Sequence, residues 1–111
     1  MPFPYGMSLH VTVYIAPDNV DPFFAAFKPV YDKVIKEPEC MFFEVYEDSE
    51  TQGVIHWVED WMMSPESFIE HQITKDYYKD YLAKTEPMFI KPREAKFWQR
   101  CSRAYFYTAP K

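Results

Sequence analysis

Glycine, cysteine and histidine are scarce in this chain of 111 residues, with two, two and three copies respectively. Two glycines are too few for a glycine-rich phosphate loop, and no Gly-x-Ser-x-Gly nucleophile elbow occurs. The histidines, His10, His56 and His71, lack His-x-x-x-His spacing, and no Cys-x-x-Cys pair occurs, so we expect no metal site. Without a secretion signal, we expect Cys40 and Cys101 to be free thiols.

Basic clusters and long apolar runs are also absent. The net charge is -5, and Lys and Arg are not concentrated anywhere, which argues against a nucleic-acid partner. No apolar stretch reaches the length of a signal-peptide core or a membrane span. We therefore expect a cytoplasmic protein with no membrane partner. The length is typical of a single domain, with its core at about residues 8–101.

Aromatic residues, in contrast, make up 20% of the chain, and many of them lie in alternating patterns. Alternation of aromatic and β-branched residues with polar ones predicts strands. The predicted strands are Leu9–Ile15, Cys40–Tyr46, Val54–Trp61 and Ala95–Cys101. The polar segment 47–53 joins the second and third strands as a hairpin.

The first helix is predicted to begin at Asp21 and to end before Pro38. Helical spacing of its large apolar residues defines the face that should meet the sheet. The residues of this predicted face are Phe24, Phe27, Tyr31 and Val34.

A second helical region follows the hairpin. Ser64 and Pro65 form a helix start, because serine caps free N–H groups and proline at the first position needs no donor. Phe68 and His71 are three residues apart, which predicts that they share one side of this helix. Thr74 is predicted to cap a further helix over residues 75–86, which carries Tyr78, Tyr81, Leu82 and Thr85 at the same spacing.

The order strand, helix, hairpin, helices, strand predicts an α+β fold of the ferredoxin-like, split βαβ type. Its four-stranded antiparallel sheet would carry helices on one face only. Large apolar side chains on both faces of the hairpin would leave the second face in need of a cover. We expect a homodimer in which two such sheets pack into a dimeric α/β barrel.

A carboxylate between two tryptophans is the most unusual local feature. Strand alternation places Trp57, Glu59 and Trp61 on one face. A half-buried carboxylate must be ion-paired, hydrogen-bonded or protonated. A structural salt bridge from Glu59 to Arg93 or Arg100 explains it as readily as a catalytic role does.

Several short motifs together resemble the antibiotic biosynthesis monooxygenase family, whose members are dimeric α/β barrels. The motifs are Cys40-x-x-Phe43-Glu-Val, Glu59-x-Trp61 and Ser64-Pro-Glu-Ser-Phe68-x-x-His71. The run from Tyr77 to Arg93 is similar to small fungal proteins of that family. The resemblance covers roughly Ser8 to Arg100.

The resemblance implies a pocket between helices and sheet in which some members oxygenate anthrone or quinol-like polyketides without metal, flavin or nicotinamide. Such chemistry needs a base, hydrogen bonds that hold the substrate anion, and an apolar cavity. The candidate base is His71, with Glu59 as its orienting partner or as a second proton carrier. The candidate substrate-binding residues are Phe43, His56, Trp57, Trp61, Phe68, Tyr78 and Tyr81.

The chain also differs from family patterns. Trp57 stands where anthrone-oxidising relatives tend to carry an asparagine. His71 and Tyr81 replace the tryptophan and the histidine of the haem-degrading branch, so we do not expect haem breakdown.

Other interpretations stay open. His71 is equally well explained as a histidine satisfied within the core, and the aromatic stripe of Phe68, Tyr78 and Tyr81 as core packing. A non-oxidative enzyme of the same fold, such as a cyclase, dehydratase or isomerase, would use the same acid and base. A non-catalytic dimer that binds a small molecule would need neither.

Overall fold

A computed structural model describes residues 3–110 and contains a four-stranded antiparallel sheet in the order β2-β3-β1-β4. The strands are β1 (Met7–Ile15), β2 (Cys40–Glu47), β3 (Val54–Trp61) and β4 (Phe89–Gln99). The helices are α1 (Val20–Val34), α2 (Pro65–Ser67), which continues as a π-helix (Phe68–Gln72), and α3 (Tyr77–Thr85). Short 3-10 turns lie at Pro17–Asn19, Glu86–Met88 and Arg103–Tyr105. The predicted ferredoxin-like α+β fold is confirmed.

The two central strands, β1 and β3, carry the core. Every second residue of each strand is buried, from Met7 to Ile15 in β1 and from Ile55 to Trp61 in β3. The two strands pair antiparallel, with Val11 opposite Trp57. The period-2 pattern in the sequence therefore identified the buried face correctly.

Helix α1 faces the sheet through a slightly different stripe from the one predicted. Phe27 and Val34 are buried as expected, but Phe23 and Val30 replace Phe24 and Tyr31. Both predicted residues still pack against the core from its margin. The buried face of α1 is thus shifted by about one residue from the predicted one. The apolar residues of the helix alone do not determine which of these faces meets the sheet.

The segment after Ser64 departs from a regular α-helix. The N–H of Ile73 donates to the carbonyl of Phe68 at 2.9 Å, an i to i+5 bond that defines a π turn. Because this turn is wider, Phe68 and Gln72 point inward, and His71 points outward. The prediction that Phe68 and His71 share one side is wrong.

Of the two predicted caps, one is confirmed. Ser64 Oγ accepts a hydrogen bond from the N–H of Ser67 at 3.1 Å. Thr74 does not cap α3; its hydroxyl donates to the carbonyl of Glu70 at 3.0 Å and so closes the preceding turn. Helix α3 begins at Tyr77 instead.

Strand β4 spans Phe89–Gln99, whereas the prediction placed it at Ala95–Cys101. Pro92 made the first half resemble a loop, because proline cannot donate to a sheet. β4 lies at the edge of the sheet, where proline is tolerated. Its pairing with β1 shifts register between Thr12 and Tyr14, which is where Pro92 is accommodated.

The second face of the sheet carries exposed aromatic side chains. Phe42, Tyr46 and Trp98 are all exposed on it, and His10 and His56 lie between them with their rings 5.8 Å apart. This bare face is the one that the sequence predicted.

Across residues 3–110, no helix is both long and apolar enough to cross a membrane. Cys40 and Cys101 are free, the first half-buried and the second exposed.

Gly53 generates a stability prediction. Its φ is +96°, and a Cβ built there would lie 2.1 Å from the carbonyl oxygen of Ile15. Gly53→Ala should therefore lower the free energy of unfolding by about 1–3 kcal/mol or more, measured by urea denaturation. Gln52→Ala, an exposed change in the same turn, should stay within about 0.5 kcal/mol. Equal stability of the two variants would contradict this account of the turn.

Candidate active site

A cavity of about 260 Å³ lies between the sheet and the helices. A cavity of roughly 150 Å³ is enough to bind benzene, so this one has room for a larger aromatic molecule. Its walls are almost entirely apolar, and its polar side chains are Glu59, Arg93 and three tyrosines. The lining residues are Leu9, Val11, Phe27, Val30, Tyr31, Val34, Phe43, Trp57, Glu59, Phe68, Ile69, Ile73, Tyr78, Tyr81, Leu82, Arg93, Ala95 and Phe97.

The carboxyl group of Glu59 is held by two indole rings. Trp57 Nε1–H donates to Oε2 and Trp61 Nε1–H donates to Oε1, both at 2.9 Å. The three residues are adjacent on the buried face of β3, so the strand itself sets this geometry. Leu9 and Phe43 flank Glu59 on the neighbouring strands. The result is a carboxyl group that is only 7% exposed and faces an apolar cavity.

Burial raises the pKa of Glu59 to about 7, against the opposing effect of the two indole hydrogen bonds. Removing the carboxylate from water disfavours its charge, and the two N–H donors recover only part of that loss. Each carboxylate oxygen retains a second lone pair beyond the one used by an indole. Glu59 can therefore accept a proton from a molecule in the cavity near neutral pH.

The alternative ion pairs of Glu59 are not formed. Arg93 lies 3.6 Å from Glu86, and Arg100 lies 3.7 Å from Asp60. The indole N–H groups take the place that a guanidinium would have filled. The structural salt bridge considered from the sequence therefore does not explain Glu59.

Most of the predicted pocket residues meet in this cavity. Phe43, Trp57, Phe68, Tyr78 and Tyr81 line it. Trp61 lies behind it, fully buried, with its ring 5.6 Å from that of Phe68. Its contribution is to hold Glu59 rather than to form the wall.

The structure places two predicted site residues elsewhere. The side chain of His71 is 74% exposed and lies 3.6 Å from Glu70, because the π turn directs it outward. His56 lies on the opposite face of the sheet, where its Nδ1 is 2.9 Å from the hydroxyl of Thr12. Strand alternation separates His56 from Trp57 and Glu59.

Sequence reasoning missed Gln72, which is only 2% exposed. Its Nε2 lies 2.6 Å from the Tyr77 oxygen and 2.8 Å from the Tyr78 oxygen. The only sequence signal for Gln72 was its spacing of four residues from Phe68. His71, three residues from Phe68, fits a regular helix equally well, so spacing alone does not show which of the two side chains points inward.

Two of the tyrosines that line the cavity lie on α3. Tyr78 and Tyr81 are both buried and both line the cavity. Burial raises the pKa of Tyr81 to about 12, and burial also raises that of Tyr78. Within residues 3–110, the Tyr81 hydroxyl is a fully buried side-chain polar atom without a hydrogen-bond partner. Both phenols keep their protons at neutral pH and can act as donors.

The described part of the chain contains no group of three or more His, Cys, Asp or Glu side chains arranged to hold a metal ion. Glu59, the one carboxylate of the cavity, is surrounded by indole and phenyl rings instead.

The raised pKa of Glu59 predicts an unusual pH dependence of stability. Between its ordinary value of 4.5 and about 7, the unfolded chain loses this proton while the folded chain keeps it. The folded state then binds more protons, so stability falls as pH rises through this window, by on the order of 3 kcal/mol in total. In Glu59→Gln, this decline between about pH 5 and pH 8 should vanish. Equal slopes for the two proteins in urea denaturation at each pH would contradict the assignment.

Comparison with known proteins agrees with the fold. No protein-family model matches the chain. A curated fungal protein named "Putative monooxygenase GME11364", from Pestalotiopsis microspora, is 31% identical over 95 residues, which are 86% of this chain and 79% of that protein.

Solved structures give the same fold. A crystal structure described as that of a "putative antibiotic biosynthesis monooxygenase" from Caulobacter crescentus has a TM-score of 0.79 at 20% identity, covering 90% of this chain and 94% of that one. A conserved protein from Methanosarcina mazei has a TM-score of 0.78 at 19% identity, covering 90% and 97%. With the sequence match to the fungal protein and the sheet order described above, the chain belongs to the antibiotic biosynthesis monooxygenase family.

Proposed function

We propose that this protein is a cofactor-independent monooxygenase that acts on a hydrophobic aromatic metabolite of secondary metabolism, of the anthrone, quinol or polyketide-like class. The observation that carries the proposal is Glu59, a carboxyl group with a pKa near 7 that faces an apolar cavity of about 260 Å³. A base of that strength is suited to removing a proton from a phenol or an enol at neutral pH.

The reaction balances with dioxygen as the only oxidant. Glu59 accepts the proton of the substrate hydroxyl, and the resulting anion passes one electron to O2. The substrate radical and superoxide combine through a new C–O bond, and the peroxide takes the proton back. The same ring carbon then loses its one hydrogen as a proton while the O–O bond breaks and expels hydroxide, so that water is released and a carbonyl forms at that carbon.

The walls of the cavity suit a flat substrate. Trp57 and Phe27 pack with ring centroids 4.9 Å apart, and Phe43 lies edge-on to Phe27 at 6.1 Å. Aromatic walls of this kind stack on planar rings and exclude water from the reacting atoms. Exclusion of water also preserves the basicity of Glu59, since its pKa is raised by burial.

The structure changes which residue is the better candidate for the base. His71, the candidate from the sequence, points to solvent on the outer side of the π turn. Glu59 lines the cavity and has the stronger physical case. We therefore propose Glu59 as the base and assign His71 no part in the chemistry.

Oxygen consumption tests the proposal. The purified, chelator-treated protein should take up O2 with anthrones or hydroquinones above the autoxidation background, and kcat/KM should rise with pH and level off above about 7. Glu59→Gln should lower turnover by roughly 10²–10⁴-fold, because the base is lost. His71→Ala, the matched control, should keep full turnover.

Three outcomes would overturn this assignment. Full activity in a folded Glu59→Gln variant would exclude Glu59 as the base. Loss of activity in His71→Ala would restore the histidine. Turnover of these compounds without O2 uptake would favour a cyclase, dehydratase or isomerase of the same fold.

We also propose that two copies pair through the second face of the sheet. Phe42, Tyr46 and Trp98 are exposed there, and the half-buried Val58 of β3 lies at the centre of the face. Stable interfaces bury roughly 800 Å² on each partner, and this face is a side of the sheet that the helices do not cover and that exposes large aromatic side chains.

The interface has its own test. Val58→Lys should convert a dimer into a monomer in sedimentation velocity, because it brings a long charged side chain into the middle of the seam, where pairing would remove it from water. Ala83→Lys, on the exposed side of α3, should leave the dimer intact. A monomeric unmodified protein, or a dimeric Val58→Lys variant, would contradict the interface.

A further inference from the structure

Two of the three histidines of the chain lie side by side on the second face of the sheet. His10 on β1 and His56 on β3 belong to the two central strands, and their rings pack edge to face with centroids 5.8 Å apart. Both side chains are half-buried. The cavity lies on the opposite face of the same strands, so the proposed chemistry does not explain this pair.

Each histidine is held on its own sheet through one ring nitrogen. His56 Nδ1 lies 2.9 Å from the Thr12 hydroxyl, and His10 Nε2 lies 3.0 Å from the Ser8 hydroxyl. A neutral imidazole has one N–H donor and one acceptor nitrogen, whereas a protonated imidazole has two donors. A protonated ring therefore presents a further N–H, which needs an acceptor wherever water is excluded.

Aromatic rings flank the pair on both sides. The His10 ring lies 5.8 Å from the ring of Trp98 on β4, and the His56 ring lies 6.1 Å from the ring of Tyr46 on β2. Both flanking rings are exposed in a single copy. A second copy that covers these rings would also remove the two imidazoles from water.

The other charges of this face nearly cancel. From the register of all four strands and from the residue after β4, its titratable and charged side chains other than the histidines are Tyr14, Glu44, Tyr46, Asp60, Lys91, Glu94, Lys96 and Arg100. Three of these are carboxylates and three are cations, although the chain as a whole carries a net charge of -5. With neutral histidines, two such faces can meet with little repulsion, which favours a second copy as the partner.

Protonation would remove this balance. Each copy would add two positive charges near the centre of the face, and a symmetric pair would bring both sets together. In a single copy, burial and the charge of His56 already lower the pKa of His10, against the opposing charge of Asp60. Asp60 is also engaged, since its Oδ2 lies 3.7 Å from Arg100 Nε. Further burial by a second copy acts in the same direction as the burial already present.

We propose that His10 and His56 form a pH switch for self-association: two copies pair through the second face while both histidines are neutral and separate when they are protonated. This goes beyond the monooxygenase function and rests on the proposed pairing of two copies. The dimer binds fewer protons than two separate copies, so lowering the pH through the histidine range favours the separate copies. The switch acts on assembly, because the cavity lies on the other face of the sheet.

The dissociation constant of the dimer at two pH values tests the switch. Sedimentation velocity at several loading concentrations gives this constant at about pH 7.5 and about pH 5.5, on either side of the ordinary histidine pKa. Each histidine that must release a proton weakens pairing about tenfold over this interval, so two to four histidines per dimer should raise the constant roughly 10²- to 10⁴-fold. Glu59 titrates in the same interval, but it is already buried inside each copy, so pairing leaves its proton unchanged. Near-UV circular dichroism should show that the separated copies stay folded.

The third histidine supplies the matched control. The double variant His10→Gln/His56→Gln is neutral at both pH values, so its dissociation constant should change by less than about threefold. Each single variant should lose about half of the slope of log Kd against pH. His71→Gln removes an exposed histidine on the outer side of the π turn and should keep the full slope.

Several results would overturn the switch. An equal dissociation constant at both pH values would keep the interface and remove the switch. Dissociation together with loss of the near-UV signal would make acid unfolding its cause. An undiminished slope in the double variant, or a lost slope in His71→Gln, would exclude the histidine pair. A protein that is monomeric at both pH values would remove the pairing as well, whereas the O2 uptake test is independent of all these outcomes.

Discussion

The arrangement of this molecule depends on a carboxyl group buried beneath two indole N–H donors. Three alternate residues of one central strand supply the group and both donors, so the site is built into the sheet and needs no loop to assemble it. Burying Glu59 disfavours its charge, and the indoles return only part of the loss, which keeps its pKa near neutrality. The same burial that stabilises the aromatic core thus leaves a carboxyl group with a pKa near 7 in the wall of the cavity.

The second organising feature is the π turn after Ser64. Its extra residue directs Gln72 inward and His71 outward, and Gln72 then links two tyrosines at the start of α3. Through Tyr77 the link extends to Glu37 in the loop after α1. π turns often occur at functional sites, and here one couples the cavity wall to two distant segments. Glu59 and the tyrosines consequently approach the cavity from opposite layers of the fold.

The sequence predicted the parts of this structure that depend on strand alternation. Alternation with a period of two predicted β1, β3 and the placement of Glu59 between two tryptophans, because it fixes which residues of a strand share a face. The face that each helix buries was harder to predict. The predicted buried face of α1 was displaced by one residue, and the π turn buries Gln72 and leaves His71, the predicted site residue, exposed. The beginning of β4 was missed because Pro92 is tolerated only at an edge, and edge position is a property of the sheet order.

The most direct test of the Glu59 clamp is a pH titration of the indole N–H resonances by NMR, with Trp98 as a comparison. Trp57 and Trp61 donate to the same carboxyl group, whereas Trp98 lies on the other face of the sheet. The account predicts that the first two resonances shift together with one midpoint near pH 7, whereas Trp98, whose ring packs against His10, follows that histidine, the pKa of which burial lowers from 6.5. A midpoint near the ordinary value for glutamate, or independent shifts of Trp57 and Trp61, would contradict a buried carboxyl group shared by both rings and with it the proposed base.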